Sequence, residues 1–264
     1  MPGATIIGVF RSASLLAIAW LAWLPACTQT AADGGPNRLE RHFQDSGENL
    51  ALSFDGVDDY TTTGTARFPN GWKKQTMSAW FMVDMLDERA ALLTLRKDFD
   101  SGLELGLRKG VVGVWLVSAD KPLLMAKEAI TTNAWHHAAY TYDESTNALY
   151  VDGALVATST DSPDKRTPTT CWLGTLDGVR DLFQGRMDEA HVFETVRTAE
   201  QLALEFSGQF SANVEGLVLD LTFNEGSGSV VFDHSEQQND GQLGDGVQQR
   251  MPRRLPAVLA ATDY

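Results

Sequence analysis

The stretch WHHAAYTYDESTNALYVDGALVATS, residues 135–159, contains three short runs of apolar and β-forming residues separated by turn-forming residues. The first break is at Asp143–Asn147 and the second at Asp152-Gly153, and both are rich in the residue types that favour tight turns. Runs of this length between such turns are typical of antiparallel strands joined as hairpins. The stretch therefore predicts three consecutive β-strands.

The same layout recurs along the chain from residue 50. In 50–54 leucine and phenylalanine alternate with smaller residues, as in a strand with one buried face. TMSAWFMVD (76–84) is apolar on both faces, which is typical of a strand in the middle of a sandwich. GLELGLR (102–108) places its leucines on one face and continues through Lys109-Gly110 into VVGVWLVS (111–118), which predicts a hairpin.

One segment is expected to be helical. Thr198 followed by Gln201 in TAEQLALEF (198–206) resembles a capping box at the start of a two-turn helix. Short strands with one short helix near residues 198–206 indicate an all-β, antiparallel sandwich or jelly roll. The 264 residues could form one large domain or two small ones, and 43% hydrophobic residues suffice for a packed core.

The formal net charge of −14 argues against a nucleic-acid partner, because binding to phosphates needs a basic surface. A negative surface is compatible with cation binding. The charge alone identifies no ligand.

Residues 1–26 have the features of a secretory signal peptide. SASLLAIAWLAWLPA (12–26) is almost wholly apolar, but it is shorter than the roughly 20 residues that a membrane span needs. It leads into LPAC (24–27), which resembles the lipobox of bacterial lipoproteins, in which the cysteine is acylated. We therefore expect lipidation of Cys27, which would attach the protein to a lipid bilayer.

The residue after Cys27 bears on the location. Thr28 stands where an Asp would resemble an inner-membrane retention signal, so we expect a lipid-anchored protein of the cell envelope, in the outer membrane, with a tether over 27–47. Two alternatives remain open. Either an ordinary signal peptide is cleaved and Cys27 stays unmodified, or Cys27 forms a disulfide with Cys171.

Five pieces of the chain, in order, resemble one family: ALSFDGVDDY, MSAWFMVD, LELGLRKGVVGVWL, NAWHHAAYTYDESTNALYVDGALV and GRMDEAHVFETVRTAEQLALEF. Together they are similar to the laminin-G-like, concanavalin A-like lectin/glucanase superfamily, in particular to bacterial jelly-roll members akin to pentraxins, over roughly residues 48–207. The resemblance implies a two-sheet jelly-roll sandwich, secretion or surface display, binding of glycan or protein, and often a bound calcium ion.

The resemblance also bears on domain organisation. We expect one laminin-G-like domain over 48–247 and a solvated C-terminal tail over 248–264. The segment 213–247 resembles the strand and turn that usually open such a domain. It either completes the same sandwich, by closure or edge pairing, or begins a second repeat that stops.

The candidate metal site is the acidic turn, FDGVDDY (54–60), with Asp55, Asp58 and Asp59. Calcium takes six to eight oxygen ligands, so three aspartates need further ligands. The resemblance implies that Asp188 in RMDEAHVF lies beside this turn and completes a structural calcium site. The alternative is that the aspartates form an ordinary solvated turn and that Asp188 hydrogen-bonds to backbone.

The sequence contains few candidate residues for ligand binding. Trp72, in FPNGWKKQT (68–76), is the best candidate for stacking on a sugar, and the alternative is that its role is structural. His136 and His137 are adjacent in a predicted strand, so they point to opposite faces, and no spacing typical of a zinc site occurs.

No glutamate-x-aspartate-x-x-glutamate run and no G-x-S-x-G elbow is present, so no catalytic residues are expected. We expect a non-catalytic, surface-anchored carbohydrate-binding module, which calcium stabilises if the acidic turn binds the ion. A protein-interaction module that binds a surface protein is the alternative, and a relative of the glycoside hydrolases is a more remote one.

Overall fold

The computed structural model of the chain describes residues 48–68, 73–164, 166–210 and 214–257, and these form two eight-stranded antiparallel sheets. The expected signal peptide, Cys27, the tether and Trp72 lie outside the described residues. Within the described ranges, no helix is long and apolar enough to cross a membrane.

The first sheet takes its strands from the beginning, middle and end of the chain. They are β1 (Leu50–Asp55), β3 (Gln75–Val83), β8 (His136–Tyr142), β9 (Asn147–Val151), β10 (Ala154–Ser159), β12 (Gln184–Phe193), β13 (Leu217–Leu221) and β16 (Arg253–Pro256). Their spatial order is β10-β9-β8-β3-β12-β1-β16, and β13 also pairs with β12.

The second sheet contains the remaining strands: β2 (Thr61–Thr62), β4 (Ala90–Asp98), β5 (Ser101–Arg108), β6 (Val111–Leu116), β7 (Pro122–Met125), β11 (Thr170–Leu173), β14 (Val230–Val231) and β15 (Gly241–Leu243). Their spatial order is β14-β15-β2-β11-β4-β5-β6-β7. Two short 3-10 turns, Gly244–Gly246 and Gln248–Arg250, connect β15 to β16.

A single α-helix occurs in the described part of the chain, α1 (Ala199–Phe206). It begins with the predicted capping box. The Thr198 hydroxyl accepts a hydrogen bond from the Gln201 amide, and the Gln201 side chain accepts one from the Thr198 amide. The all-β, antiparallel two-sheet jelly-roll sandwich with one short helix near residues 198–206 is therefore confirmed.

The central strand β3 is apolar on both faces because both faces are covered. Met77 and Phe81 belong to the main core between the two sheets. On the opposite face, Trp80 stacks on Phe206 of α1, with ring centroids 5.4 Å apart. The apolar residues on both faces of β3 therefore pack against the main core on one side and against α1 on the other.

The predicted hairpins are present. Residues 135–159 form the consecutive antiparallel strands β8, β9 and β10, and β5 pairs with β6 through the turn at Lys109-Gly110. The register is therefore set by the turns that the sequence indicates.

The C-terminal segment contributes to both sheets. Strand β13 pairs with β12 in the first sheet, and β15 pairs with β2 in the second. The expectation of a solvated tail from residue 248 is wrong for Arg253–Pro256, which pairs with β1 so that Leu50 lies opposite Pro256. This pairing satisfies backbone groups of β1 that an edge strand would expose.

Candidate functional site

The acidic turn follows β1 directly. Gly56, with φ of +75°, lets the chain reverse after Asp55, and the Asp55 carboxylate accepts a hydrogen bond of 2.8 Å from the Val57 amide. The Asp59 carboxylate accepts a 3.0 Å bond from the Asp55 amide. Asp55, Asp58 and Asp59 each contribute an oxygen to a group whose members lie within 4.8 Å of one another.

The three carboxylates of the turn repel one another. Burial of Asp59, together with the charges of Asp55 and Asp58, raises the pKa of Asp59 to about 6. A cation in the turn would relieve this repulsion, and the oxygen-only ligand set suits calcium. The turn fits a calcium ion that takes the rest of its ligands from water or main-chain carbonyls.

Asp188 lies apart from the acidic turn. In the pairing of β1 with β12, Asp55 is opposite Gln184, and Asp188 is four residues further along, roughly 13 Å away at the rise of a strand. The Asp188 carboxylate accepts a bond from the Glu189 amide, and its burial raises its pKa to about 8. The structure therefore does not bring Asp188 to the turn, which corrects the expectation drawn from the resemblance.

His136 and His137 have separate structural partners. His136 Nδ1 lies 2.8 Å from the Asp152 carboxylate, whereas His137 Nε2 lies 3.4 Å from the carboxylate of Glu205 in α1. Adjacent strand residues point to opposite sides of a sheet, so the two rings do not converge on one ion.

A cleft of about 360 Å³ opens on the outer face of the second sheet. Its lining combines one exposed aromatic ring, that of Phe99, with several charged side chains, among them Arg89, Glu104, Arg108, Arg180 and Asp181. Phe99 is 78% exposed, so its ring faces the solvent. We call this region the Phe99 cleft.

The floor of the Phe99 cleft is a buried ion-pair network around Arg108. Its guanidinium donates to both carboxylate oxygens of Glu104, at 2.8 and 3.1 Å, and to Asp181 at 3.2 Å. It also lies over the ring of Trp115, 4.2 Å from the centroid. Burial raises the pKa of Glu104, and the Arg108 charge opposes this shift.

The backbone at the exposed Phe99 is held in place by its neighbours. It lies in the β4–β5 turn, where the Arg96 guanidinium donates to the Phe99 carbonyl at 2.7 Å. Gly102, with φ of +144°, closes this hairpin, and a Cβ there would lie 2.1 Å from a backbone oxygen. The guanidinium of Arg180 lies 5.6 Å from the centroid of the Phe99 ring.

The Phe99 cleft was only partly visible in the sequence. Glu104 and Arg108 stand out there as charged residues on the outward face of an otherwise apolar strand. Phe99 and Asp181 carry no comparable signal, because turns and sheet pairing bring them to the same place. The predicted ligand residue, Trp72, lies outside the described residues.

The chain was compared with protein families, curated proteins and solved structures. The sequence profile of the Concanavalin A-like lectin/glucanases superfamily matches residues 55–203. No curated protein is significantly similar to the chain in sequence.

The solved structures that share the fold include these two. The first is a Bacteroides ovatus protein described as a candidate carbohydrate-binding protein, with a TM-score of 0.57 and 20% identity. The match covers 74% of this chain and 58% of that one, so this chain spans little more than half of its length. The second is a heptameric SAP-like pentraxin of Limulus polyphemus, with a TM-score of 0.52 and 13% identity, covering 66% of this chain and 90% of the pentraxin.

Proposed function

Because the chain belongs to the concanavalin A-like lectin/glucanases superfamily, we propose that it is a non-catalytic carbohydrate-binding module that binds glycan in the Phe99 cleft. The observation that carries this proposal is the exposed ring of Phe99 beside charged side chains, on a turn whose backbone is bound by Arg96. An aromatic ring can stack on the apolar face of a sugar, while carboxylates and guanidinium groups hydrogen-bond to its hydroxyls.

The shape and lining of the Phe99 cleft support this choice. Its volume of about 360 Å³ lies in the usual range for small-ligand sites. Two other clefts in the described part of the chain, of about 400 and 520 Å³, have no phenylalanine, tyrosine or tryptophan in their lining. The Phe99 cleft therefore offers the stacking surface that those two lack.

The carboxylates of the Phe99 cleft argue for binding rather than hydrolysis. Glu104 and Asp181 accept hydrogen bonds from the same nitrogen of Arg108, so their oxygens are at most about 6 Å apart, a spacing seen in glycoside hydrolases. Both, however, are ion-paired to Arg108, and the Glu104 side chain is only 2% exposed. Neither carboxylate is free to protonate a leaving group or attack a sugar.

A screen of the purified domain against a broad glycan and polysaccharide array tests the proposal. A glycan that binds should bind at least tenfold more weakly to Phe99→Ala, a loss of about 1.4 kcal/mol, and nearly normally to Phe99→Tyr, which keeps the ring. The matched control is Leu155→Ala, which removes an exposed apolar side chain from the first sheet.

Three outcomes would contradict the proposal. Equal loss in Phe99→Ala and Leu155→Ala would move the site away from the Phe99 cleft. Release of reducing ends from a bound glycan would restore the hydrolase alternative. If no glycan on the array binds, a module that binds a surface protein is favoured.

Calcium on the acidic turn is a second part of the proposal. It is supported by the proximity of the Asp55, Asp58 and Asp59 carboxylates and by the raised pKa of Asp59. Calorimetric titration with Ca²⁺ should show one site that Asp58→Asn weakens at least tenfold. Asp188→Asn is the control and should leave this affinity unchanged, whereas equal weakening by Asp188→Asn would return Asp188 to the ligand set.

Lipid anchoring in the outer membrane is a third part. It is supported by LPAC (24–27) after an apolar stretch and by Thr28. In a Gram-negative host, the full chain should appear in the outer-membrane fraction, with the mass of Cys27 increased by acylation. Cys27→Ser should release the protein into the soluble fraction, and an unmodified Cys27 in the wild-type protein would contradict the anchor.

A further inference from the structure

A second group of ionisable side chains lies on the outer face of the first sheet, away from the Phe99 cleft and the acidic turn. It consists of Glu189 and His191 of β12 and Asp220 of β13. His191 and Asp220 are directly opposite each other in the strand pairing. Their side chains are almost completely buried, with 1% and 2% exposure, whereas that of Glu189 is 26% exposed.

Two atoms of this group are buried without a hydrogen-bond partner. His191 Nε2 lies 3.4 Å from Asp220 Oδ1 and 3.5 Å from Glu189 Oε2, yet neither contact has hydrogen-bond geometry. Asp220 Oδ1 also has no hydrogen bond. Buried polar atoms without a hydrogen bond are costly. The convergence of these two atoms with Glu189 Oε2 therefore needs an explanation.

The neighbours of His191 fix the direction of its ring. Nδ1 lies 2.9 Å from Oε1 of Glu205, and the ring of Phe210 stacks on the imidazole with centroids 3.9 Å apart. When Nδ1 donates its proton to Glu205, the lone pair of Nε2 faces the two carboxylates. A carboxylate behind the histidine is the usual arrangement for a metal-binding imidazole.

The distances fit a small tetrahedral cation. Two ligand atoms that are each about 2.0–2.1 Å from a tetrahedral ion are separated by about 3.4 Å. In a tetrahedral site the lone pair of each ligand atom points at the ion and not at another ligand atom. The ligand atoms are therefore close to one another without being hydrogen-bonded. This describes the observed contacts of His191 Nε2.

We propose that Glu189 Oε2, His191 Nε2 and Asp220 Oδ1 form a site for a divalent first-row transition metal of the Zn²⁺ type. One imidazole and two carboxylates suit zinc better than calcium, which takes oxygen ligands. Water completes the tetrahedron on the side where Glu189 is exposed. Because Asp220 belongs to β13 and the other two ligands to β12, the ion joins the C-terminal segment to the centre of the first sheet.

The test uses the full-length protein freed of metal by dialysis against EDTA. Titration with Zn²⁺ alone should show one ion per chain, and Co²⁺ alone should give the intense visible bands of a four-coordinate ion. Glu189→Gln and Asp220→Asn should each weaken Zn²⁺ binding at least tenfold. Glu189→Gln changes a partly exposed side chain, so it remains informative if Asp220→Asn does not fold.

Two controls locate the ion. His234→Gln removes a histidine outside the site, and Asp58→Asn alters the acidic turn; both variants should bind Zn²⁺ like the wild type. Absence of Zn²⁺ binding, or unchanged binding in Glu189→Gln, would overturn the proposal. So would a loss in Asp58→Asn that equals the loss in Glu189→Gln, because the ion would then be in the turn. Glycan binding does not enter any of these readouts.

Discussion

Replacing Arg108 with methionine tests the ion-pair network beneath the Phe99 cleft. Methionine keeps an apolar stem over Trp115 but removes the hydrogen bonds to Glu104 and Asp181. The side chains of Glu104 and Asp181 are only 2% and 11% exposed, so two carboxylates would be left buried without their cation. Removal of one partner of a buried ion pair costs about 3–5 kcal/mol.

We expect a loss near the lower end, about 3 kcal/mol of unfolding free energy, because Arg108 itself is 15% exposed and water can reach the gap. The loss should depend on pH. Burial already raises the pKa of Glu104, and removal of Arg108 removes the larger of the two charges that oppose this shift, the other being Arg89. A carboxyl group whose pKa is raised by folding stabilises below its unfolded pKa, and this stability is lost as the pH rises through the folded pKa.

Urea unfolding followed by tryptophan fluorescence, at about pH 4 and about pH 8, measures both effects. Arg108→Met should be less destabilising at about pH 4, where Glu104 is protonated. Adding Glu104→Gln should recover more than about 1 kcal/mol at about pH 8, which is the coupling expected for contacting residues. A loss below about 1 kcal/mol, the same at both pH values and additive with Glu104→Gln, would refute the reasoning.

Three further substitutions test the framework by the same urea measurement. Asn147→Ala should cost about 3 kcal/mol, because this buried amide accepts a hydrogen bond from the Tyr140 hydroxyl and donates to two backbone carbonyls. Tyr140→Phe removes only the first of these bonds and should cost about 1 kcal/mol. Equal costs would mean that the two bonds donated by the amide contribute nothing. Gly102→Ala should cost more than about 3 kcal/mol, because the new Cβ would meet a backbone oxygen. Gly64→Ala, at φ of +59° and with open space around it, should cost about 1 kcal/mol. A similar cost for the two variants would show that there is no clash at Gly102. Thr198→Ala should cost about 1 kcal/mol and speed amide exchange in α1, and unchanged exchange would show that the capping box does not hold the helix end.

Local features were the ones that could be predicted from sequence. The strands of 135–159, the β5–β6 hairpin and the capping box at Thr198 depend on residues close together in the chain, and each is present. The grouping of Asp55, Asp58 and Asp59 is local in the same way. Strand β16 was missed because RRLP shows no alternation and is a strand only through its pairing with β1.

Features that depend on register between distant strands could not be read from the sequence. Asp188 and the acidic turn belong to neighbouring strands, but the pairing offsets them along the strand direction. Conversely, Asp220 and His191 are brought together by the pairing of β12 and β13, and neither residue has a metal-binding motif around it. Sequence spacing gives no measure of this offset, since a shift in register moves every residue of the strand.

The pairing of β1 with β16 has a consequence for biosynthesis. Among the described strands β1 is synthesised first, but its two neighbours in the sheet are β12 and β16, which are made late. Both backbone edges of β1 therefore stay unpaired while the chain is elongated, and exposed strand edges are prone to wrong pairing. Contacts between such distant segments also slow folding. The pairing of β1 is not complete until Arg253–Pro256 has left the ribosome, so a chain truncated before this strand would keep an open edge on β1.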